Sequence, residues 1–295
     1  MKYRHSIIIG AFLLSFIGVF GQQDPQYSFY RFNMNLFNPA FAGTGEGGEL
    51  TLGLRSQWAG VEGAPESQSV LFSTPMGNKV GLGVAILNDR TFIENQTWVA
   101  LDFSYKVKLN DGYDLFFGLK ASGQSYSANT NGLTTFGVGT DGSLMDFNSR
   151  FTPNVGVGVY LRHSNHFLSL SAPKLLTPDR LEERDGEAFM SVDKRHVYLA
   201  GGYDFFLSKD LTLEASSMLR YVEASPLALD LTAILDFGRR FRLGASYRLD
   251  AAVSGLFLFD IGPKFNIGYA YEAAIQNSIN AVDNSSHELF MRLRI

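Results

Sequence analysis

Apolar and polar residues alternate in segment after segment of this chain, the period-two pattern of strands whose two faces meet different surroundings. In residues 240–250, Phe241, Leu243, Ala245, Tyr247 and Leu249 share one face, while Arg240, Arg242, Gly244, Ser246, Arg248 and Asp250 take the other. In residues 113–124, Tyr113, Leu115, Phe117, Leu119 and Ala121 oppose Asp114, Phe116, Gly118, Lys120 and Ser122. Residues 227–237 set Leu229, Leu231, Ala233 and Leu235 against Asp230, Thr232 and Asp236. The last residues set Leu289, Met291, Leu293 and Ile295 against Glu288, Phe290, Arg292 and Arg294. Helical spacing fits none of these runs. The pattern predicts strands at about 49–57, 66–74, 79–88, 96–107, 113–124, 153–163, 166–172, 195–206, 210–221, 226–237, 240–249, 252–260, 264–273 and 286–295. That is about 14 strands, an even number of the kind found in bacterial single-chain barrels.

The start of the chain gives these strands a destination. Met1-Lys2-Tyr3-Arg4-His5 is basic, Ser6 to Phe20 carries no acidic or basic residue, and Gly21-Gln22-Gln23-Asp24 is a small-to-polar exit. This reads as a secretory signal peptide over 1–22, its apolar run too short for a comfortable membrane span. No later stretch approaches the ~20 apolar residues of a spanning helix. The expectation is therefore an all-β, multi-pass, antiparallel barrel of the bacterial outer membrane over 49–295, preceded by a periplasmic or plug segment over 23–48. Both termini are expected in the periplasm, which requires every second connection to be a short turn. Residues 75–78, 108–112, 164–165, 207–209, 238–239 and 261–263 meet that requirement. The two longest connections, Ser125 to Thr152 and Pro173 to Lys194, both fall in the outward class, where two connections are short, Asp250-Ala251 most clearly.

Composition narrows the chemistry. Charged residues are 18% of the chain, below the usual ~25%, and aromatics reach 14%. A net charge of −4 without a basic block gives no footprint for nucleic acid. With no cysteine, disulfides, thiolate metal sites and a cysteine nucleophile are excluded. Gly137-Val138-Gly139-Thr140-Asp141-Gly142 matches a dinucleotide glycine pattern, but no helical periodicity follows it, so it reads as a polar loop. His163 and His166 flank a turn with no carboxylate close in sequence, and His196 and His287 stand alone, which favours structural or interfacial roles. The mixed charges of Asp179 to Glu187 read as a solvated, lipopolysaccharide-facing loop or as a contact for a partner or divalent cation. No spacing selects a hydrolase set, and neither an enzyme nor a cofactor is expected.

The strand register points one group of charges inward: Asp102, Lys106, Lys120, Arg162, Asp204, Glu214, Arg220, Asp230, Arg242, Arg248, Glu272 and Arg292. A charge on the lipid face costs ~2–4 kcal/mol at mid-membrane, so the lumen is where these residues can stand. Two readings stay open: a lattice of ion pairs and water that fills the barrel, or the lining of a pore or docking cavity. Inward Tyr160, Tyr198, Phe206, Met218 and Phe290 favour a filled interior.

One family shares the order of several short segments. Gln23-Asp24-Pro25-Gln26-Tyr27-Ser28-Phe29-Tyr30 leads into Asn38-Pro39-Ala40-Phe41-Ala42-Gly43-Thr44. Arg55-Ser56-Gln57-Trp58-Ala59-Gly60 follows with Gly63-Ala64-Pro65, then Gly81-Leu82-Gly83 with Leu87-Asn88-Asp89. The second half carries Arg195-His196, Gly202-Tyr203, Ser225-Pro226-Leu227-Ala228-Leu229-Asp230 and Gly244-Ala245-Ser246-Tyr247-Arg248. Together these resemble the PorP/SprF family of type IX secretion system membrane proteins over essentially the whole mature chain. The chain departs from the family at Ala215-Ser216-Ser217, where a proline-serine pair is common, and in ending on Ile295 rather than an aromatic residue.

The resemblance implies a non-enzymatic barrel that binds and anchors, or helps export, a surface client such as an adhesin through the client's C-terminal domain. It implies further contacts with periplasmic or outer-membrane secretion components, with membrane lipid and lipopolysaccharide as surroundings. Asn38, Pro39, Ala40, Gly43, Arg55, Trp58 and Pro65 are the candidate partner-binding or plug residues. Asn38-Pro39-Ala40 reads equally as a fixed bend before the first strand, and Trp58 equally as an interfacial anchor. The alternative is an outer-membrane channel or small-solute transporter. A soluble periplasmic β-protein is disfavoured by apolar stripes on nearly every strand.

Overall fold

The structure is a computed structural model that describes residues 26–129, 147–148, 151–177, 179–184, 187–192, 194–223, 225–238, 240–275 and 285–295. The expected signal peptide over 1–22 and the glycine pattern at 137–142 lie outside the described residues. The strands are β1 (Glu49–Gln57), β2 (Glu66–Met76), β3 (Val80–Thr91), β4 (Glu94–Lys108), β5 (Asp114–Ala128), β6 (Phe147–Asn148), β7 (Thr152–Arg162), β8 (His166–Lys174) and β9 (Asp179–Arg184). They continue as β10 (Glu187–Val192), β11 (His196–Phe206), β12 (Leu211–Val222), β13 (Ala228–Phe237), β14 (Phe241–Arg248), β15 (Ala252–Ile261), β16 (Phe265–Ala274) and β17 (Ser285–Arg294).

All neighbours pair antiparallel, and β17 returns to β1 in a register running from Glu49↔Arg294 to Gln57↔Ser286. Apart from the two-residue β6, the strands of the 15-stranded sheet form one closed ring, leaving 14 strands in the barrel wall. Closure pairs the backbone groups that an edge would leave bare, which a membrane requires. Each segment expected from the alternation is present, with ends shifted by a few residues. The two long connections hold more strand than the alternation shows. β6 pairs with the end of β5, and β9 and β10 form a hairpin of their own. The charged run from Asp179 carries no period-two signature, so its pairing left no sign in the alternation. The side chains of that run lie outside the described residues.

The two faces of the wall differ as the alternation requires. Leu101 and Leu119 are each 59% exposed on the outer face. Their inward neighbours Asp102 and Lys120 are buried. Apolar stripes of this extent around a ring belong against lipid rather than water. Connections of three to five residues close one end of the barrel, the short-turn end; the long connections lie at the other, the long-loop end, together with the short links between β3 and β4 and between β14 and β15.

The interior is occupied by the chain's own N-terminal segment. It forms a 3-10 turn at Tyr30–Phe32, one α-helical turn at Met34–Phe37 and a second 3-10 turn at Pro39–Phe41. Tyr30, Asn38, Ala40 and Ala42 are completely buried. The segment begins at the long-loop end, where Tyr27 shares a cavity with Asp89, Trp98 and Lys174. It descends to Arg31 beside Asp204, climbs to Phe37 beside Ser171, and descends again to Thr44 beside Arg162. The described chain therefore does not start and finish at one end. Ile295 is at the short-turn end, bonded to Gly48, while residue 26 lies towards the opposite mouth.

Leu119→Arg, at a lipid-facing position in the middle of β5, is expected to destabilise the barrel by ~2–4 kcal/mol. Urea titration of the protein folded into vesicles measures this, and a change below ~0.5 kcal/mol would place Leu119 away from the hydrocarbon.

Candidate functional site

The wall makes room for the inner segment by omitting side chains where the backbone passes closest. A Cβ on Gly118 would stand 2.1 Å from the Ala40 nitrogen, and one on Gly158 would stand 1.9 Å from Asn38 Oδ1. A Cβ on Gly81 would meet the Ala42 carbonyl oxygen at 2.0 Å. Gly43 turns the chain towards β1 with a φ of +63°, a left-handed conformation that glycine adopts at little cost.

An irregular segment sealed from water must find partners for its backbone polar groups. Here the wall supplies them by charge type. Cations and hydroxyls donate to plug carbonyls: Lys120 Nζ to Asn35 (3.0 Å), Arg162 Nη1 to Thr44 (2.7 Å), Ser171 Oγ to Phe37 (2.8 Å) and Ser104 Oγ to Ala42 (2.6 Å). Arg292 donates to the Phe32 carbonyl. A carboxylate does the converse, Glu288 accepting from the backbone N–H groups of Ser28 (2.7 Å) and Phe29 (3.3 Å). Asn38 ties the bend to the wall, donating to the Val159 carbonyl at 3.1 Å while its own Oδ1 caps the Ala40 N–H at 2.9 Å.

Glu288 ends a chain of charges drawn from five strands. Asp230 meets Arg248 at 2.8 Å, Arg248 meets Glu272 at 3.2 Å, and Glu272 meets Arg55 at 2.6 Å. Arg55 in turn reaches Glu288 at 3.5 Å. A second group clamps Arg31 of the plug between Asp204 (2.5 Å) and Glu214 (3.6 Å). A third centres on Lys120, fully buried, 2.7 Å from Asp102 and 4.9 Å from the Trp98 ring centroid. Arg242, paired with Asp236 and Asp260, lies against the Phe32 ring. Rings complete the fit: Phe41 stacks on Tyr160 at 3.9 Å, Phe37 meets Tyr198 at 5.1 Å and Phe29 meets Phe290 at 5.5 Å. Burial pushes the phenols of Tyr27 and Tyr30 upward, and for Tyr27 the Glu288 carboxylate adds to the shift, so both remain neutral; the Tyr30 hydroxyl shares a hydrogen bond with Ser216 Oγ at 3.0 Å.

The candidate residues divide by position. Asn38, Pro39 and Ala40 pack against β5 and β7, Gly43 against β2 and β3, and Arg55 bridges to the plug's first turn through Glu288. Trp58 and Pro65 are not with them; they sit in the β1–β2 loop at the long-loop end, Trp58 being exposed. Among the inward charges, Asp102, Lys120, Arg220, Asp230 and Glu272 are buried, while Lys106, Arg162, Asp204, Glu214, Arg242, Arg248 and Arg292 are partly buried. Phe206, expected inside, is 69% exposed because β11 ends there, at the rim. Glu288 and Arg31, absent from the candidates, are central. Glu288 stood on the inward face by register, but its partners lie some 260 residues away in sequence. His163 and His166 stack at 4.5 Å, and the Nδ1 atoms of both face Asn165 Oδ1, a local turn network.

What these features define is a plugged β-barrel of the outer membrane. Its fold resembles that of the Ralstonia pickettii toluene transporter TbuX, with a TM-score of 0.52 and 13% identity over 88% of this chain and 92% of that one. The Acinetobacter baumannii outer membrane protein Omp33 matches with a TM-score of 0.50 and 10% identity over 84% of this chain and 98% of that one. The CymD monoaromatic hydrocarbon channel matches with a TM-score of 0.53 and 13% identity over 88% and 92% of the two chains. These likenesses concern the fold alone. No curated protein matches the chain in sequence. Residues 19–293 match the family described as Type IX secretion system membrane protein PorP/SprF, and the chain belongs to it.

Two substitutions test this site. Lys120→Met strands the Asp102 carboxylate and is expected to cost ~3–5 kcal/mol, most of it recovered when Asp102→Asn is added; denaturant unfolding of the single and double variants measures both terms. Gly118→Val is expected to drive Pro39-Ala40 off the wall. A cysteine placed at Ala40 should then react with a water-soluble maleimide, whereas equal protection with and without the valine would show that the segment is seated elsewhere.

Proposed function

We propose that this protein is a docking barrel of type IX secretion, holding an exported client through the client's C-terminal domain at the long-loop mouth. The observation that carries the reading is the filled lumen. Wall contacts to the plug come from β2, β3, β4, β5, β7, β8, β11, β12, β14, β15, β16 and β17, so the barrel offers a shaped mouth over a filled interior. Membership in a secretion family supplies the role, and the mouth supplies matching chemistry. Trp58 (φ +53°) and Phe92 (φ +54°) hold exposed rings on left-handed backbone. Turns normally reserve that conformation for glycine or asparagine, and it costs a side chain of this kind roughly 1–2 kcal/mol. The two loops are joined by the Phe92 N–H, which donates to the Gly63 carbonyl at 2.8 Å. Strain spent on displaying aromatic rings fits a surface that a partner covers.

On this reading the short turns face the periplasm and the barrel serves as a non-enzymatic anchor, with secretion components as its other partners. The channel reading draws on the fold shared with toluene and hydrocarbon transporters, and the plug weighs against it.

Purification of the tagged barrel from its native membrane in mild detergent, with mass spectrometry of what accompanies it, tests the proposal. The expected result is a large exported protein held through its C-terminal domain. Trp58→Ala with Phe92→Ala should reduce that retention at least tenfold without loss of the folded barrel. Planar-bilayer recordings should show little conductance for the intact protein and a steady current once residues 26–42 are removed. A partner-free barrel that conducts ions when intact would favour the channel.

A further inference from the structure

The rim at the short-turn end repeats one pairing of residue types from turn to turn. Each of five turns places an exposed cation beside an exposed apolar side chain: Lys79 with Met76, Lys108 with Leu109, Lys209 with Leu207, Arg240 with Phe241, and Lys264 with Ile261. The sixth, between β7 and β8, carries His163 and His166 against Tyr113 instead. Just inside this rim on the outer face stand exposed Tyr105, Tyr203, Phe205 and Phe259.

The acidic residues of the same end are largely committed elsewhere. Asp204, Asp236 and Asp260 are engaged by Arg31 and Arg242, Asp114 by Arg162, and Glu49 by Arg294. Asp111 pairs with Lys108 at 2.9 Å, leaving Glu46 and Asp210 as exposed acids. The collar is therefore net basic at the β2–β3, β13–β14 and β15–β16 turns, while Lys108 and Lys209 stand beside Asp111 and Asp210.

We infer that this rim is a binding surface for anionic phospholipid headgroups, with the apolar residue of each turn in the acyl region and its cation at the phosphate. Two observations favour lipid over a protein partner. The cations are spread over turns all around the ring, whereas a protein footprint would gather them in one sector. Each also sits next to an apolar tip and above an aromatic band, the order of chemistry met when passing from headgroup to hydrocarbon.

The test is native mass spectrometry of the full barrel released from vesicles of equal phosphatidylglycerol and phosphatidylcholine. Wild-type protein should retain the anionic lipid over the zwitterionic one by roughly fivefold or more, the factor expected of a well-placed cation. The preference should fall as salt is raised from about 0.05 to 0.5 M. Lys79→Gln, Lys209→Gln, Arg240→Gln and Lys264→Gln together should abolish it, with folding checked by heat-modified electrophoresis. Arg90→Gln with Arg195→Gln, at the other end, should leave it intact. Equal retention of the two lipids by wild type, or a preference lost only in the long-loop variant, would overturn the inference. So would a rim that shows no lipid preference yet captures an acidic soluble protein through the same four side chains.

Discussion

A stretch of irregular backbone enclosed by a closed sheet can send its hydrogen bonds only to the side chains of that sheet. Much of this molecule follows from that constraint. The plug from Tyr27 to Thr44 makes few backbone bonds of its own beyond three short turns. The wall must therefore meet carbonyls with donors and N–H groups with acceptors. Lys120, Arg162 and Arg292 do the first, and Glu288 does the second. Those charges would be costly alone in an enclosed lumen, so Lys120, Arg162 and Glu288 are paired along the wall with Asp102, Asp114 and Arg55, while Arg292 rests on Thr51, the Phe32 carbonyl and the Phe32 and Phe290 rings. Paired this way, they contribute less to net stability than to fixing one seat for the plug, because a shifted plug leaves several of them without partners.

Two surroundings act on every strand. The lipid selects apolar residues outside, and the plug selects a mosaic of charge, hydroxyl, ring and glycine inside. Glycines at 81, 118 and 158 and rings at Tyr160, Tyr198 and Phe290 are two answers to one demand for shape. Where the backbone of the plug comes close the wall recedes, and where the plug presents a ring the wall supplies another. Packing of this kind distinguishes the interior from that of a water-filled pore, whose lining has no partner surface to match.

The strands were legible in the sequence because lipid and lumen impose opposite preferences at successive positions, a strong signal over eight or more residues. The β9–β10 hairpin was not, since a run as charged as Asp179 to Glu187 offers no alternation to read. The inward side of Asp102, Lys120, Asp230 and Glu272 could be read, but which charge meets which could not. Register between distant strands sets those pairs, and the link from Ser28 to Glu288 spans 260 positions. Arg55 and Asn38 stood out only through family resemblance, because neither alternation nor spacing marks a buried arginine or a bend. Nothing local in Tyr27-Ser28-Phe29-Tyr30-Arg31 declares that it lies inside a ring. The surplus of glycine on inward strand positions was the nearest available sign.

The path of the plug also has a consequence for assembly. Its first described residues lie at one mouth and its last at the other, so the segment passes through the ring as a cord passes through a bead. A finished ring could receive it only by having a chain end fed through the bore past Arg55, Lys120 and their partners. Assembly is simpler if the cord is laid down first and the wall wrapped around it. Since the ring closes where the first barrel strand meets the last, at Glu49↔Arg294 through Gln57↔Ser286, that seam is the natural final step. A segment made before any barrel strand would then act as the mandrel on which the wall is shaped.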